Sequence, residues 1–242
     1  MPRMEPNHID GLLLVDKTPD WTSHDVVNLV RRRFNLDKTG HCGTLDPLAT
    51  GLLVLLLGKA TKFQDMLMGQ EKVYEAVMCL GTETDTEDRS GEIVATHDWS
   101  MVTEESIRKV GESFLGEQFQ VPPMMSAIKK NGQPLYKMAR RGESIEREPR
   151  PITIYGLDIT RLELPNVFFT LRCSKGTYVR TVCADWGRKL GCGGHMKELR
   201  RVRSGKLSVD GAVKPEAIKE WQLADLASNV MSLEKLADLY GA

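Results

Sequence analysis

The sequence predicts an α+β fold: a mixed, mainly antiparallel sheet with helices packed around it. Strand pairs such as 151–164 and 167–174, joined by a Pro-Asn turn, are interspersed irregularly with helical stripes. The regular βαβ alternation of a doubly wound sheet is missing. A chain of 242 residues, 41% hydrophobic and 27% charged, is long enough for a sizeable core in one large domain or two small ones.

In chain order, Ile9 to Lys17 (IDGLLLVDK) reads as a buried strand. Ser23 can cap a helix whose Val26, Val30 and Phe34 fall on one face. The loop HCGTLDPLATG, His41 to Gly51, feeds the apolar run LLVLLLG, Leu52 to Gly58. KATKFQDMLM is a short helix, and Lys72 to Gly81 alternates as a strand with Tyr74, Ala76, Met78 and Leu80 on one face. TETDTEDRSG is an acidic turn between strands, followed by a helical stripe of Ile107, Val110, Phe114 and Leu115. VPPMMSAIKKNGQP, with three prolines and a glycine, reads as a loop, and LYKMARRG as a short helix ending at Gly142. The strongest helical pattern is GTYVRTVCADWGRKLG, where Val179, Val182, Cys183, Trp186 and Leu190 follow the 3.6-residue period and Gly191 ends it. The tail from Asp210 is mildly acidic and forms short helices starting near Pro215.

Charge is balanced, 33 basic against 33 acidic residues, but unevenly spread. Arg172 to Lys206 holds ten Lys/Arg and two acids; Lys129 to Arg150 holds seven and three; Thr82 to Glu117 holds three and ten. Basic segments of this kind suit a polyanion, although any one of them taken alone is more often a solvated face. No apolar run approaches the length of a membrane span, and the first residues contain no apolar signal region. The five cysteines form no CxxC pair, which points to reduced thiols and a cytoplasmic protein. There is no GxxxxGK[ST], no GxGxxG after the first strand, no HExxH, no zinc-spaced Cys/His cluster and no GxSxG. The expected chemistry therefore uses no cofactor and no metal, leaving a carboxylate as nucleophile or general base.

Asp46 is the carboxylate whose setting is unusual. Pro47 fixes its own backbone and drives Asp46 toward an extended conformation, while Gly43 and Gly51 permit tight turns. An aspartate in such a loop most often serves a turn or a cap, and the loop by itself leaves that reading open.

GHCGTLDPLATGLLVLLLGKATK, Gly40 to Lys62, resembles the signature of TruB-type tRNA pseudouridine synthases. Further blocks are similar to that family's motifs in the same order: KVYEA at Tyr74, the T-D-T-x-D-x-x-G turn at Thr84 to Gly91, VPPMMSAIKKNGQPLYKMARRG, CSKGTYVRTVCADWGRKLG at Arg180 and HMKELRRVRSG at Leu199. The resemblance covers residues 9 to about 206. It departs from the family at KTPDW, where Thr18 and Asp20 stand in place of the usual proline and glycine.

The resemblance implies that the protein isomerises the uridine at position 55 in the T-loop of transfer RNA to pseudouridine, by flipping the base and without a cofactor. It makes Asp46 the catalytic aspartate, Arg180 its charged partner, Tyr74 the residue stacked under the target base, and Leu199 part of the wall that excludes water. Substrate contacts fall to His41, Lys17, Lys62, Lys129, Lys130 and Tyr178, with no metal ligand. Read without the resemblance, Tyr74 is an ordinary core residue, Arg180 a surface arginine, His41 a turn residue, and Lys17 and Lys62 solvated lysines. The implied organisation is a pseudouridine synthase catalytic domain over 1–206, with a substrate-binding insertion at about 121–150, and a short helical extension over 207–242. Only about 36 residues follow Lys206, so the small PUA-type RNA-binding domain of many relatives is expected to be absent. The expected partner is the T-arm stem-loop of tRNA, with no membrane, no obligate protein partner and a monomeric state. A non-catalytic RNA chaperone on the same scaffold is the main alternative.

Overall fold

The computed structural model describes residues 5–126, 128–130, 132–139, 141–143 and 145–241. In chain order the elements begin with β1 (Gly11–Lys17), α1 (Ser23–Arg33), β2 (Thr39–Cys42) and β3 (Thr50–Leu57). A 3₁₀ turn, Gly58–Phe63, then precedes α2 (Gln64–Met68), β4 (Lys72–Leu80), β5 (Thr82–Thr84), β6 (Ile93–Thr96), α3 (Glu104–Glu112) and β7 (Gly116–Gln120). The segment that follows holds β8 (Lys129–Lys130), β9 (Gln133–Pro134) and α4 (Leu135–Ala139). Next come β10 (Arg150–Glu163), β11 (Asn166–Cys173), α5 (Val179–Leu190), β12 (Gly194–Ser204) and β13 (Leu207–Ser208). The chain finishes with α6 (Pro215–Ile218), α7 (Leu223–Asn229) and α8 (Leu233–Tyr240). They fall into two compact units, one made of 1–73 with 200–242 and the other of 74–199.

The first unit is built on β3, whose residues Gly51–Leu57 are all buried. A strand covered on both faces reads as an unbroken apolar run rather than an alternating one, hence GLLVLLL. β1 pairs with it antiparallel, Leu13 opposite Leu55 and Val15 opposite Leu53. β2 pairs antiparallel at the far end, with His41 opposite Leu55, and the last residues of β12 pair in parallel, Arg200 opposite Thr50. One face packs Leu52, Val54 and Leu56 with Leu12, Cys42, Ala60, Leu67, Leu207 and Leu236. Residues beyond 206 therefore help build this core. They also supply backbone partners to β1: Leu12 N–H donates to Met231 O at 2.9 Å, Met231 N–H to Leu12 O at 2.8 Å, and Val213 N–H to Leu14 O at 3.0 Å.

In the second unit the strand order is β12, β4, β11, β10, β7. β10 pairs antiparallel with both β11 and β7. α5 buries Trp186 edge-on against Phe169, ring centroids 5.3 Å apart, and its indole N–H donates to Ile107 O of α3 at 3.2 Å. Gly111 lets α3 press onto that ring, since a Cβ there would lie 2.7 Å from the indole. TETDTEDRSG spans the β5–β6 hairpin, as its composition suggested.

Two local expectations change. The cap of α1 is Thr22, whose hydroxyl accepts from Asp25 N–H at 3.1 Å while the Asp25 carboxylate accepts from Thr22 N–H at 2.9 Å. Ser23 lies one residue inside the helix, and its side chain is used elsewhere. VPPMMSAIKKNGQP is not all loop, because β8 and β9 pair within it.

Truncating Leu236→Ala should destabilise the protein by about 2–5 kcal/mol, the range for a buried leucine, because its side chain is 1% exposed in the β1–β3 core. Urea unfolding followed by circular dichroism checks this; a loss below about 0.5 kcal/mol would mean that α8 is not integral to the core.

Candidate active site

The Asp46 loop joins β2 to β3, and side chains from three other segments hold its backbone. Lys17, at the end of β1, is fully buried and donates to Thr18 O at 3.0 Å, Trp21 O at 2.8 Å and Pro47 O at 3.0 Å. Asp20 N–H donates to the same Pro47 O at 3.0 Å. The Ser23 hydroxyl meets both backbone groups of Leu45, accepting from its N–H at 2.9 Å and donating to its C=O at 3.2 Å. Arg201, only 1% exposed, donates through Nε to Leu52 O at 2.8 Å and through a terminal nitrogen to Gly43 O at 3.0 Å. The loop closes on itself where Ala49 N–H donates to Asp46 O at 3.0 Å. Gly51 has φ +96 and lies against the Arg201 backbone, where a Cβ would collide with the carbonyl oxygen, so glycine is required there. Asp46 itself is half-buried. The loop thus presents a carboxylate from a backbone fixed on both sides of it.

Burial lowers the Lys17 ammonium from an ordinary 10.5 to about 8, and the negative charges of Asp46 and Asp20 work against that fall. This corrects the reading of Lys17 as a substrate contact. With no exposed surface and three carbonyl partners, it shapes the loop and cannot reach an RNA phosphate. The same holds for Arg201, one of the basic residues in the 172–206 stretch, which is spent on the protein's own backbone. His41 lies on β2 with its Nδ1 sealed and, among the described residues, without a hydrogen-bond partner. Burial and the Arg201 charge hold its pKa below the usual histidine value, which favours the neutral ring. Lys62 is exposed on the 3₁₀ turn after β3.

In the second unit, Arg180 sits in the first turn of α5 and is 3% exposed. It donates to Thr86 O at 3.0 Å and Met125 O at 2.8 Å, and its Nε lies 3.7 Å from the Asp88 carboxylate. The T-D-T-x-D-x-x-G turn is the cradle for this guanidinium. Asp88 Oδ1 accepts from the Thr86 hydroxyl at 2.8 Å and from Ser90 N–H at 2.9 Å, and the Thr84 hydroxyl donates to Asp88 O at 2.7 Å. Gly91 ends the turn because a Cβ would collide with the Asp85 carboxylate and the Thr86 hydroxyl. Glu87, held at φ +63, accepts from the Thr181 hydroxyl at 2.6 Å, and burial raises its pKa. Tyr74 on β4 and Leu199 on β12 are buried, 9% and 8% exposed. Tyr178, the cap residue of α5, is fixed by Gln120, whose side-chain oxygen accepts from Tyr178 N–H at 2.9 Å and whose amide donates to Tyr178 O at 3.1 Å. The backbones of Lys129 and Lys130 form β8, but their side chains lie outside the described residues.

Sequence reasoning missed Ser23, Arg201, Gln120 and the role of Thr86 and Asp88. Ser23, Arg201 and Gln120 act on backbone groups far away in the chain, where no local pattern announces the partner; the turn holding Thr86 and Asp88 is a local pattern, but its arginine lies more than ninety residues on.

Two predictions follow from these buried cations. Between pH about 8 and about 10.5 the folded chain holds fewer protons on Lys17 than the unfolded chain does. The destabilisation from burying this charge is therefore complete below about pH 8 and relieved as pH rises through that window. Urea unfolding of wild type and Lys17→Met at about pH 7 and about pH 10 should show the wild type gaining relative stability at the higher pH; a constant difference contradicts it. Arg180→Lys keeps the charge but cannot span both Thr86 O and Met125 O, so turnover should fall by at least about tenfold. A wild-type rate in single-turnover kinetics would dismiss that role.

The chain matches two family models: the N-terminal domain of TruB family pseudouridylate synthases over 31–179, and the C-terminal domain of tRNA pseudouridylate synthase B over 180–239. It is 52% identical over 211 residues to tRNA pseudouridine synthase B of Syntrophotalea carbinolica, covering 87% of this chain and 69% of that one. It is 46% identical over 236 residues to tRNA pseudouridine synthase B of Opitutus terrae, covering 98% and 97%. Among solved structures, a chain from a Cbf5–Nop10–Gar1 complex superposes with a TM-score of 0.72 at 30% identity, covering 95% of this chain and 62% of that one. With the motifs in register and family models matched across both parts of the sequence, the chain belongs to the TruB family of pseudouridylate synthases.

Proposed function

We propose that the protein isomerises a uridine in the T-loop of tRNA, position 55, to pseudouridine, with Asp46 as the reacting carboxylate. The observation that carries this reading is the Asp46 loop, whose backbone is held by Lys17, Ser23 and Arg201 on either side of a half-buried carboxylate. A group that must meet one sugar carbon gains most from such pre-set geometry. In the reaction the bond from the anomeric carbon to N1 of uracil breaks and one to C5 forms; the C5 proton is lost and N1 is protonated. Atoms balance within the substrate and the solvent. Positive charge develops at the anomeric carbon, where a carboxylate stabilises it or bonds to it.

The remaining roles rest on the motifs. Arg180 is the proposed charged partner of the carboxylate, Tyr74 stacks under the target base and assists proton removal, and Leu199 keeps water out. His41, as a neutral ring, suits stacking with flipped nucleotides, which RNA loops offer once their bases are splayed. Lys62, Lys129, Lys130 and Tyr178 are proposed contacts to the T-arm. No helix among the described residues is long and apolar enough to cross a membrane. The reading places a monomeric enzyme in the cytoplasm with tRNA as its partner.

The test is mass spectrometry of a T-arm stem-loop RNA after incubation with the protein, using a pseudouridine-specific derivatisation. Wild type should convert the target uridine. Asp46→Asn should fold and bind the RNA but lose at least about a hundredfold in rate, because only the charge is removed. Turnover above about one-tenth of wild type, with contaminating enzyme excluded, would reject Asp46 as the reacting group.

A further inference from the structure

We infer that Ser23 is a positioning residue for the reaction, setting the height of the Asp46 carboxylate through the residue before it. The inference rests on Asp46 being the reacting group. Ser23 is 2% exposed and lies at the first position of α1. A serine there would ordinarily serve the helix start, but that work is already done. Thr22 and Asp25 form a complete capping box, with the Thr22 hydroxyl on Asp25 N–H and the Asp25 carboxylate on Thr22 N–H. The adjacent hydroxyl is thereby released, and it points at Leu45.

What it does there is unusual for a side chain. It accepts from Leu45 N–H at 2.9 Å and donates to Leu45 C=O at 3.2 Å, so one oxygen serves both polar groups of a single peptide residue. A strand partner would normally supply such a pair. Leu45 is itself 3% exposed, so its side chain is anchored in the core while its backbone is anchored to α1. Asp46 follows directly, and Pro47 leaves its backbone little freedom. The next anchor, Lys17 on Pro47 O, lies on the other side of Asp46. Ser23 and Lys17 therefore bracket Asp46, one residue to each side. Lys17 and Arg201 also tie together other segments, so changing them disturbs more than the loop. Among the described residues the Ser23 side chain hydrogen-bonds to Leu45 of the loop alone, which makes it the cleanest handle on carboxylate position.

The experiment compares wild type with Ser23→Ala in three measurements: single-turnover pseudouridine formation, stem-loop RNA affinity, and hydrogen–deuterium exchange. With the clamp removed, the single-turnover rate should fall roughly 10–100-fold, since a misplacement of about 1 Å can cost this much. Affinity should stay within about twofold, because no RNA-contacting group has changed. Exchange should accelerate in a peptide covering Thr44 to Ala49 and remain as in wild type in β1 and β3. The inference is overturned if the rate stays within about twofold of wild type, if affinity falls in step with rate, or if exchange rises through β1 and β3, which would mark a general loss of packing. Should wild type itself form no pseudouridine, the functional reading fails. The exchange result then still decides the clamp, with a rise confined to 44–49 sustaining it and no change rejecting it.

Discussion

The structure around the candidate catalytic loop depends on one buried ammonium group. Lys17 has no exposed surface, and taking a charge out of water is costly unless its donors are all met. Three backbone carbonyls meet them: Thr18 and Trp21 in the turn after β1, and Pro47 in the Asp46 loop. The ammonium thereby fixes the distance between that turn and that loop. The turn starts α1, so it also determines where Ser23 stands. The nearby carboxylates of Asp46 and Asp20 counter part of the burial cost, so the loop that Lys17 holds in turn helps to keep Lys17 charged.

The same device recurs in both units. Arg201 in the first unit bonds Gly43 O in the Asp46 loop and Leu52 O at the start of β3, and Lys72 bonds Met68 O and Gln70 O, both at 2.6 Å. In the second unit Arg180 bonds Thr86 O and Met125 O. Irregular backbone cannot satisfy its own carbonyls as helices and sheets do, and buried loops need donors from side chains. Buried Lys and Arg supply several donors each from a fixed position. The chain thus turns basic residues, which composition alone would place on a solvated or polyanion-binding face, into internal braces for its own backbone.

This explains what the sequence could and could not reveal. The core strand β3 and helix α5 were legible because their apolar patterns are local, unbroken in LLVLLL and 3.6-periodic around Trp186. The Asp46 loop was legible as rigid, since Pro47, Gly43 and Gly51 announce their own constraints. β12 was hidden because GHMKELRRVRS carries five charges, and its buried residues Met196, Leu199 and Arg201 are too unevenly spaced to read as an alternation. β7, GEQFQ, holds one large apolar residue, and that residue, Phe119, points to solvent. Ser23 looked like a cap because serine before an apolar stripe is ordinarily one; its neighbour Thr22 took the task. The destination of each buried cation was beyond reach, because the carbonyl it meets can lie far along the chain.

That separation bears on how the protein is made. Arg201 lies 149 residues after Leu52 and 158 after Gly43, the two carbonyls it binds. The strand β1 likewise takes its edge partners from Val213 and Met231. A ribosome releasing the chain from its N-terminus therefore delivers Asp46 long before the brace that fixes it. Closing so long a loop adds little to the equilibrium cost, since each doubling of length costs only about 0.6 kcal/mol, but distant contacts slow the search. The nascent first unit must wait for the second to emerge before its loop can set. The order of synthesis thus leaves the Asp46 loop without this brace until most of the chain is present.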